Sequence, residues 1–468
     1  MRRFFKNFAY TFFSNILVLI ITAIITFIIP KLIGVEEYSY YQLYSFYVLY
    51  IGFLHFGWPD GIYLRYGGAY YDKLNRSRFS AQFLLFLFFE FIVAFILLVF
   101  GQVFIATEEK RIISICLAFA VMIELPKTFL KYILQCTNRM KEYAILNMVD
   151  KIVYMFAVIG AVLCLQHFDF VSLIVASLLS NGLALGYAVY QCRDLVFAKP
   201  ENFHVAINEA SENIKAGINL MLSTIAGMLL NGIVKISIEQ KWSVTTFGKI
   251  SLTMSVSNML MVVIRAISLI MFPFLKRVES SKLESMYAIM RTCLMVPLLG
   301  MLVVYYPAKF VLASWLPGYA DGLKYMALLF PVCIYESKMS MIIETYMKTL
   351  RLEKVLLRVN VISLFICILT TIIIVFGMGS LDLAVASITV ITAFRCILAE
   401  FELGKIITIN MRKDMLFEIL LTVVFMVSSW FVGGIRGLFI YLLFYLIYLY
   451  IQKKEILSVF QMLCMLRK

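Results

Sequence analysis

The sequence predicts an all-α polytopic membrane protein of about fourteen transmembrane helices, built as two parallel six-helix lobes plus a C-terminal helix pair. Three observations carry this reading. The chain of 468 residues is 62% apolar with a mean hydropathy of +0.91. Its apolar residues come in blocks long enough to cross a bilayer, and its basic residues gather at the ends of those blocks. Ordinary soluble domains are about 45–50% apolar, and no soluble fold hides this much apolar surface. Only 15% of residues are charged. Blocks such as Phe83 to Phe100 and Ile362 to Phe376 approach the ~20 residues that a spanning helix needs. A β-barrel would show short strands of alternating polarity, and that alternation is absent. Helices remain, because hydrocarbon offers backbone groups no partners.

In chain order, the first block has a basic start (Arg2, Arg3, Lys6) and runs apolar to Pro30. It is too long for a secretory signal and has no small-residue cleavage site, so it reads as a retained first span. Polar punctuation then places spans at roughly 8–29, 41–58, 81–104, 112–134, 145–165, 171–190, 216–238, 250–273, 289–309, 323–345, 359–377, 381–401, 415–432 and 436–452. With the N-terminus in the cytoplasm, the inner segments hold about 30 of the 42 Lys and Arg and the outer loops about 8. The positive-inside rule therefore puts both termini in the cytoplasm. Span twelve contains Arg395 and Glu400, and is kept because dropping it would invert every later loop.

The other totals exclude whole classes. The nine cysteines form no Cys-x-x-Cys pair, so neither a disulfide framework, a zinc site nor another metal centre is indicated, and no cofactor is expected. The net charge of +14 is spread over most loops and not gathered in one patch, which speaks for membrane topology and against nucleic acid. The longest inner loop, 191–215, is too small to fold as a catalytic domain. Function must lie within the bundle, and an enzyme is not expected.

The chain also carries an internal repeat. One constant shift lays Val121, Ile123, Lys127, Glu142 and Leu146 over Val332, Ile334, Lys338, Glu353 and Leu357. This pairs span four with span ten in the same orientation, as parallel six-helix repeats require. The expected division is an N-terminal lobe at 1–200, a C-terminal lobe at 201–405 and an added pair at 406–468.

Four basic residues lie deep in spans: Lys127, Lys235, Arg265 and Lys338. A central position costs about 2.5–3.5 kcal/mol on insertion scales, so such residues normally face the bundle interior or a watery cavity. Glu90, Glu124, Glu336 and Glu344 are buried acids of the same kind. In span four, Glu124-Leu125-Pro126-Lys127 sets an acid and a base three apart on one face, beside a residue that breaks the backbone ladder. Span ten repeats the scheme with Pro331, Glu336 and Lys338. A cavity lined by Lys127, Lys338, Arg265, Lys235, Glu124 and Glu336 would suit an anionic pyrophosphate head group. The plainer reading is that Lys127 pairs with Glu124, and Lys338 with Glu336 or Glu344, to hold helices together.

The stretch Gly57-Trp58-Pro59-Asp60-Gly61-Ile62-Tyr63-Leu64-Arg65-Tyr66-Gly67-Gly68 follows span two. Asp60 and Arg65 sit there at the cytoplasmic mouth, either where cargo enters or on an interfacial helix whose tyrosines join the aromatic belt. His55 reads as a packed helix residue, and Gly182 with Gly186 as a small-residue pair for helix packing.

Several of these phrases resemble a known family. Phe13-Ser14-Asn15, then Pro30-Lys31-Leu32-Ile33-Gly34-Val35-Glu36-Glu37-Tyr38, is similar to the first helix and loop of polysaccharide (Wzx-like) flippases in the multidrug/oligosaccharidyl-lipid/polysaccharide exporter superfamily. The Gly57 to Gly68 phrase, and Phe247-Gly248-Lys249 through Phe272-Pro273-Phe274-Leu275-Lys276-Arg277, resemble further motifs of that group. The chain departs at Ser39, where the loop usually has glycine, and at Lys235-Ile236-Ser237-Ile238, where an acidic-basic pair is usual. The resemblance implies a V-shaped, MATE-like pair of six-helix lobes in a bacterial cytoplasmic membrane. It implies translocation of an undecaprenyl-pyrophosphate-linked oligosaccharide among membrane lipids, with a polysaccharide polymerase and glycosyltransferases as neighbours. In relatives with fourteen spans, the added pair shapes a groove for the lipid tail. A multidrug antiporter of the same fold is the rival reading, and a membrane-embedded polymerase a more distant one for want of a sizeable outer loop.

Overall fold

The computed structural model describes the backbone of residues 2–164, 168–275, 283–407, 412–453 and 456–457, with side chains throughout except at 2–15, 260, 262–275 and 283. Among the described residues there are helices and no strands. In order they are α1 (Arg2–Ile51), α2 (Trp58–Arg65), α3 (Arg76–Phe104), α4 (Glu108–Cys136), α5 (Met140–Cys164), α6 (Phe170–Gln191), α7 (Phe203–Lys241) and α8 (Val244–Leu275). The series continues with α9 (Glu284–Trp315), α10 (Met326–Thr349), α11 (Glu353–Met378), α12 (Leu381–Ile407), α13 (Arg412–Val432) and α14 (Gly434–Ile451).

Twelve of these helices, among the described residues, are long and apolar enough to cross a membrane. The difference from the fourteen expected has two sources. The first two spans are helices that meet directly at Gly34, whose φ of 80° and ψ of 177° are not helical, and they are counted together as α1. A side chain rarely adopts that φ, so glycine is what lets the chain turn there. The eighth span coincides with α8, most of whose C-terminal side chains lie outside the described residues.

Polar residues start the helices that follow. Asn75 Oδ1 accepts from the Arg78 N–H at 3.1 Å, and Asp169 Oδ1 from the Ser172 N–H at 2.9 Å, which satisfies donors that a helix N-terminus leaves open. Rows of large apolar side chains face outward, among them Phe88, Phe91 and Phe95 on α3 and Ile435, Phe439, Leu443 and Leu446 on α14. Water would not tolerate such faces; lipid does.

The chain divides into two compact units, Met1–Ile225 and Ala226–Lys468, with the boundary inside α7. In the first, Phe83, Phe86, Phe129 and Trp58 form a buried aromatic core, with Phe86 and Phe129 ring centres 5.1 Å apart. Here α2 crosses the start of α7 at backbone contact. A Cβ on Gly61 would lie 1.8 Å from the Asn213 carbonyl oxygen, and one on Gly217 2.0 Å from that of Gly57. The glycines of the Gly57 to Gly61 phrase thus serve this crossing. Gly182 and Gly186, expected to serve helix packing, do not: an added Cβ at either meets nothing within 4 Å. Both lie on a face of α6 that no neighbour approaches closely.

In the second unit α10 is the enclosed helix, with 83% of its spanning window buried. Leu230 and Val234 of α7, Ile250 of α8 and Ile388 of α12 belong to the same core. The pair α13 and α14 is docked through rings, with Phe425 5.3 Å from Tyr305 and 5.4 Å from Tyr441. The hydroxyls of Tyr441 and Tyr445 donate to the Leu299 and Val296 carbonyls of α9 at 2.6 and 2.9 Å. Each bond satisfies a phenol that apolar surroundings would otherwise penalise.

Candidate functional site

Pro126 sits inside α4 and lacks the N–H that a regular helix would return to its preceding turn. The next residue, Lys127, is buried and held by three helices. Its Nζ donates to Glu124 Oε2 of α4 at 2.8 Å and to Asn181 Oδ1 of α6, and Asp150 Oδ2 of α5 lies 3.8 Å away. Ser180 Oγ donates to Asp150 Oδ1 at 3.3 Å. The Glu124 and Asp150 side chains keep 20% and 19% of their surface, so this node can be reached from outside it. The acid and base expected three apart on one face are joined, and Asp150 and Asn181 complete the node.

The second unit repeats the recipe with the parts redistributed. Arg395 of α12 is buried; its Nε donates to Asn360 Oδ1 of α11 at 2.8 Å, Nη1 to Glu336 Oε1 at 3.5 Å and Nη2 to Glu344 Oε1 at 3.3 Å, both on α10. The Glu336 and Glu344 side chains keep 21% and 26% of their surface. A regular helix advances about 100° per residue, so a step from 336 to 344 would overshoot two full turns by about 80°. A π-helical turn at Met339–Ile343 lies between them and, being wider, takes up that excess, which brings both carboxylates to one face. An added Cβ on Gly227 would sit 3.0 Å from Arg395 Nη2, so glycine lets α7 approach the guanidinium. Each node comprises one buried cation, two part-exposed carboxylates and one asparagine, drawn from α4, α5 and α6 in one unit and from α10, α11 and α12 in the other.

Lys338 occupies a different place. It has no exposed surface, and its Nζ donates to Glu400 Oε2 of α12 and, at 2.6 Å, to Glu418 Oε2 of α13. Arg291 of α9 closes the cluster. Its Nε donates to Glu400 Oε1 at 2.9 Å, its Nη2 to Glu418 Oε1, and its Nη1 lies 3.1 Å from Asp414 Oδ2. Tyr287 Oη also donates to Glu400 Oε1, at 3.0 Å. The expected partners Glu336 and Glu344 are replaced here because they face Arg395, on the other side of α10. Two cations and three carboxylates tie α9, α10, α12 and α13 together, and a buried charge is tolerable only when so paired.

Lys235 lies on α7 with its Nζ 5.0 Å from the centre of the Phe247 ring. Arg265 falls in α8, and its side chain lies outside the described residues. Asp60 and Arg65 belong to the α2 crossing. Arg65 Nη1 donates to Glu209 Oε2 at 2.7 Å and to Asn213 Oδ1 at 2.6 Å. Asp60 lies beside His55, Oδ2 to Nε2 3.8 Å. Burial pushes its carboxyl up to about 6, against a partial pull downward from backbone hydrogen bonding and the Tyr132 hydroxyl.

Sequence reading missed Asp150, Asn181, Asn360, Arg291 and Glu418. Arg395 and Glu400 were visible as charges inside a span and were used only for topology. Their pairing was not visible, because every partner comes from another helix.

No protein-family model matches the sequence, and no curated protein does. Solved structures do match. The lipid II flippase MurJ in an inward closed conformation superposes with a TM-score of 0.65 at 12% identity, covering 95% of this chain and 99% of that one. A eukaryotic MATE transporter matches at 0.57 and 13% identity over 89% of this chain and 98% of its own. An inward-facing multidrug resistance MATE family transporter of the MOP superfamily matches at 0.57 and 10% identity over 84% and 98%. The chain has the polytopic fold that these membrane transporters share.

Proposed function

We propose that the chain flips an undecaprenyl-pyrophosphate-linked oligosaccharide across a bacterial cytoplasmic membrane, as a Wzx-like member of the MOP superfamily with both termini in the cytoplasm. The observation that carries this reading is the match along 99% of the lipid II flippase chain. It leaves only 5% of this chain outside, too little to omit both α13 and α14, of 21 and 18 residues. Cargo moves by alternating access of two six-helix lobes, 1–200 and 201–405, with 406–468 added for the lipid tail.

In this reading Lys127 with Glu124, and Arg395 with Glu336, meet the sugar. Each cation is already flanked by carboxylates, so donors and acceptors stand side by side, as hydroxyl groups require. Lys235 and Arg265 supply positive charge for the pyrophosphate. Lys338 fixes α10, which carries Glu336 and Glu344, against α12 and α13. Asp60 and Arg65 shape the cytoplasmic mouth through the α2 crossing. Glycosyltransferases supply the cargo and a polymerase consumes it.

A second reading, a cation-coupled multidrug antiporter, draws on the part-exposed carboxylates Glu124, Asp150, Glu336 and Glu344. The test is expression in a bacterium whose own polysaccharide flippase is deleted. Restored surface glycan with unchanged drug resistance is expected; drug resistance without glycan would establish the antiporter instead.

A further inference from the structure

Three connections of the first unit converge on one cleft of about 940 Å³, lined by residues 68–72, 135–139, 190–191 and 193–194. Short connections between spans are ordinarily loose; these are braced. The Gly68 N–H donates to the Cys136 carbonyl at 2.9 Å. Arg139 Nη1 donates to the Gln191 carbonyl at 2.9 Å and its Nη2 to Gln191 Oε1 at 3.0 Å, while the guanidinium stands 4.5 Å over the Tyr71 ring. Tyr71 Oη donates to Asp194 Oδ1 at 2.6 Å. Gly68 and Asn138 take left-handed φ values of 91° and 60°, which turn the chain sharply at the rim. The cleft is thus held open by bonds that cross between connections, and its volume is at the upper end of the about 300–1,000 Å³ typical of ligand sites.

The lining decides the ligand. Its charged side chains are Asp72, Asp194, Arg139 and Arg193, which cancel. A phosphate or an anionic lipid head group would therefore gain no net attraction. The amide of Gln135 offers a planar donor and acceptor pair, the pattern that binds vicinal hydroxyls, whereas Gln191 Oε1 is already taken by Arg139. Tyr70 and Tyr190 are 71% and 62% exposed, with Lys73 Nζ 5.6 Å over one ring and the Arg193 guanidinium 5.4 Å over the other, so each ring has its opposite face to offer to whatever fills the space. An aromatic face with hydrogen-bonding groups around it suits the apolar face and polar edge of a sugar ring.

We propose that this cleft is a carbohydrate reception site, taking the neutral polyhydroxyl part of the cargo before translocation; this rests on the flippase reading for its purpose, though not for its chemistry. All three connections lie on the side that the basic residues assign to the cytoplasm, where lipid-linked glycans are assembled.

The test uses the full chain, purified in detergent, with neutral lipid-free di- to hexasaccharides as probes and inorganic pyrophosphate as competitor, alongside flipping of a lipid-linked oligosaccharide in proteoliposomes. Wild type is expected to bind at least one neutral oligosaccharide with no competition from pyrophosphate. The doubly substituted Tyr70→Ala, Tyr190→Ala protein is expected to bind about tenfold more weakly. Tyr70→Phe with Tyr190→Phe, which keeps the rings, should retain most of the affinity. No binding by wild type, equal binding by the alanine variant, or displacement by pyrophosphate would each overturn the proposal. Binding that follows this pattern without any flipping would uphold the cleft and refute the flippase reading.

Discussion

Glu418 of α13 reaches Lys338 of α10, Oε2 to Nζ 2.6 Å, where no solvent-exposed surface remains on the lysine. The C-terminal helix pair is therefore joined to the rest of the second unit by charge as well as by its rings. Removing Lys338 would strand Glu400 and Glu418 with Arg291 as their remaining close cation. Lys338→Ala should cost about 3–5 kcal/mol, the usual penalty for breaking a buried pair. Thermal unfolding in detergent checks this. Lys338→Met combined with Glu418→Leu removes one charge of each sign and should recover most of the loss.

Arg395 spans two carboxylates with one planar fork, a reach that a lysine ammonium does not reproduce. Arg395→Lys should leave the protein abundant and lower flipping about tenfold, whereas Glu336→Gln or Glu344→Gln singly should lower it less. Initial flipping rates in proteoliposomes, normalised to reconstituted protein, read this directly.

Gly61→Ala and Gly217→Ala each place a methyl group at bonding distance from a carbonyl oxygen across the α2 crossing. The two helices must separate, at a cost of at least about 2 kcal/mol. Gly182→Ala and Gly186→Ala, with open space around them, should change the unfolding temperature little and serve as controls.

Asp60 offers a test of pH dependence. Its carboxyl, pushed up to about 6 by burial, holds its proton more tightly in the folded protein than in the unfolded chain. Stability from this group is fully present below about pH 4, the ordinary carboxylate range, and is lost as pH rises through 6. By pH 7.5 the ionised form should cost about 2–3 kcal/mol. Asp60→Asn should raise the unfolding temperature at pH 7.5 and flatten its profile between pH 4 and 7; an unchanged profile would mean that Asp60 is solvated.

How far the sequence could be read depends on range. Span positions follow from local hydropathy, and all fourteen expected blocks correspond to helical segments, with Gly34 marking the break between the first two. The Glu124 and Lys127 contact follows from a three-residue spacing on one helix. The partners of Lys338 did not follow, because Glu400 and Glu418 come from α12 and α13, and the alignment of Glu336 with Glu344 did not follow because no composition rule signals the π turn at Met339–Ile343. Asp150 and Asn181 were equally hidden: each is an ordinary polar residue until the fold brings α5 and α6 to α4.

The central claim is that Lys127 and Arg395, each set between two reachable carboxylates, handle a lipid-linked glycan. The most direct measurement is flipping of an undecaprenyl-pyrophosphate-linked oligosaccharide by the purified protein in sealed proteoliposomes, for wild type, Lys127→Ala and Arg395→Ala. Transfer by wild type, reduced at least about tenfold in both variants at equal reconstitution, is the expected result. Undiminished transfer in both variants would contradict it.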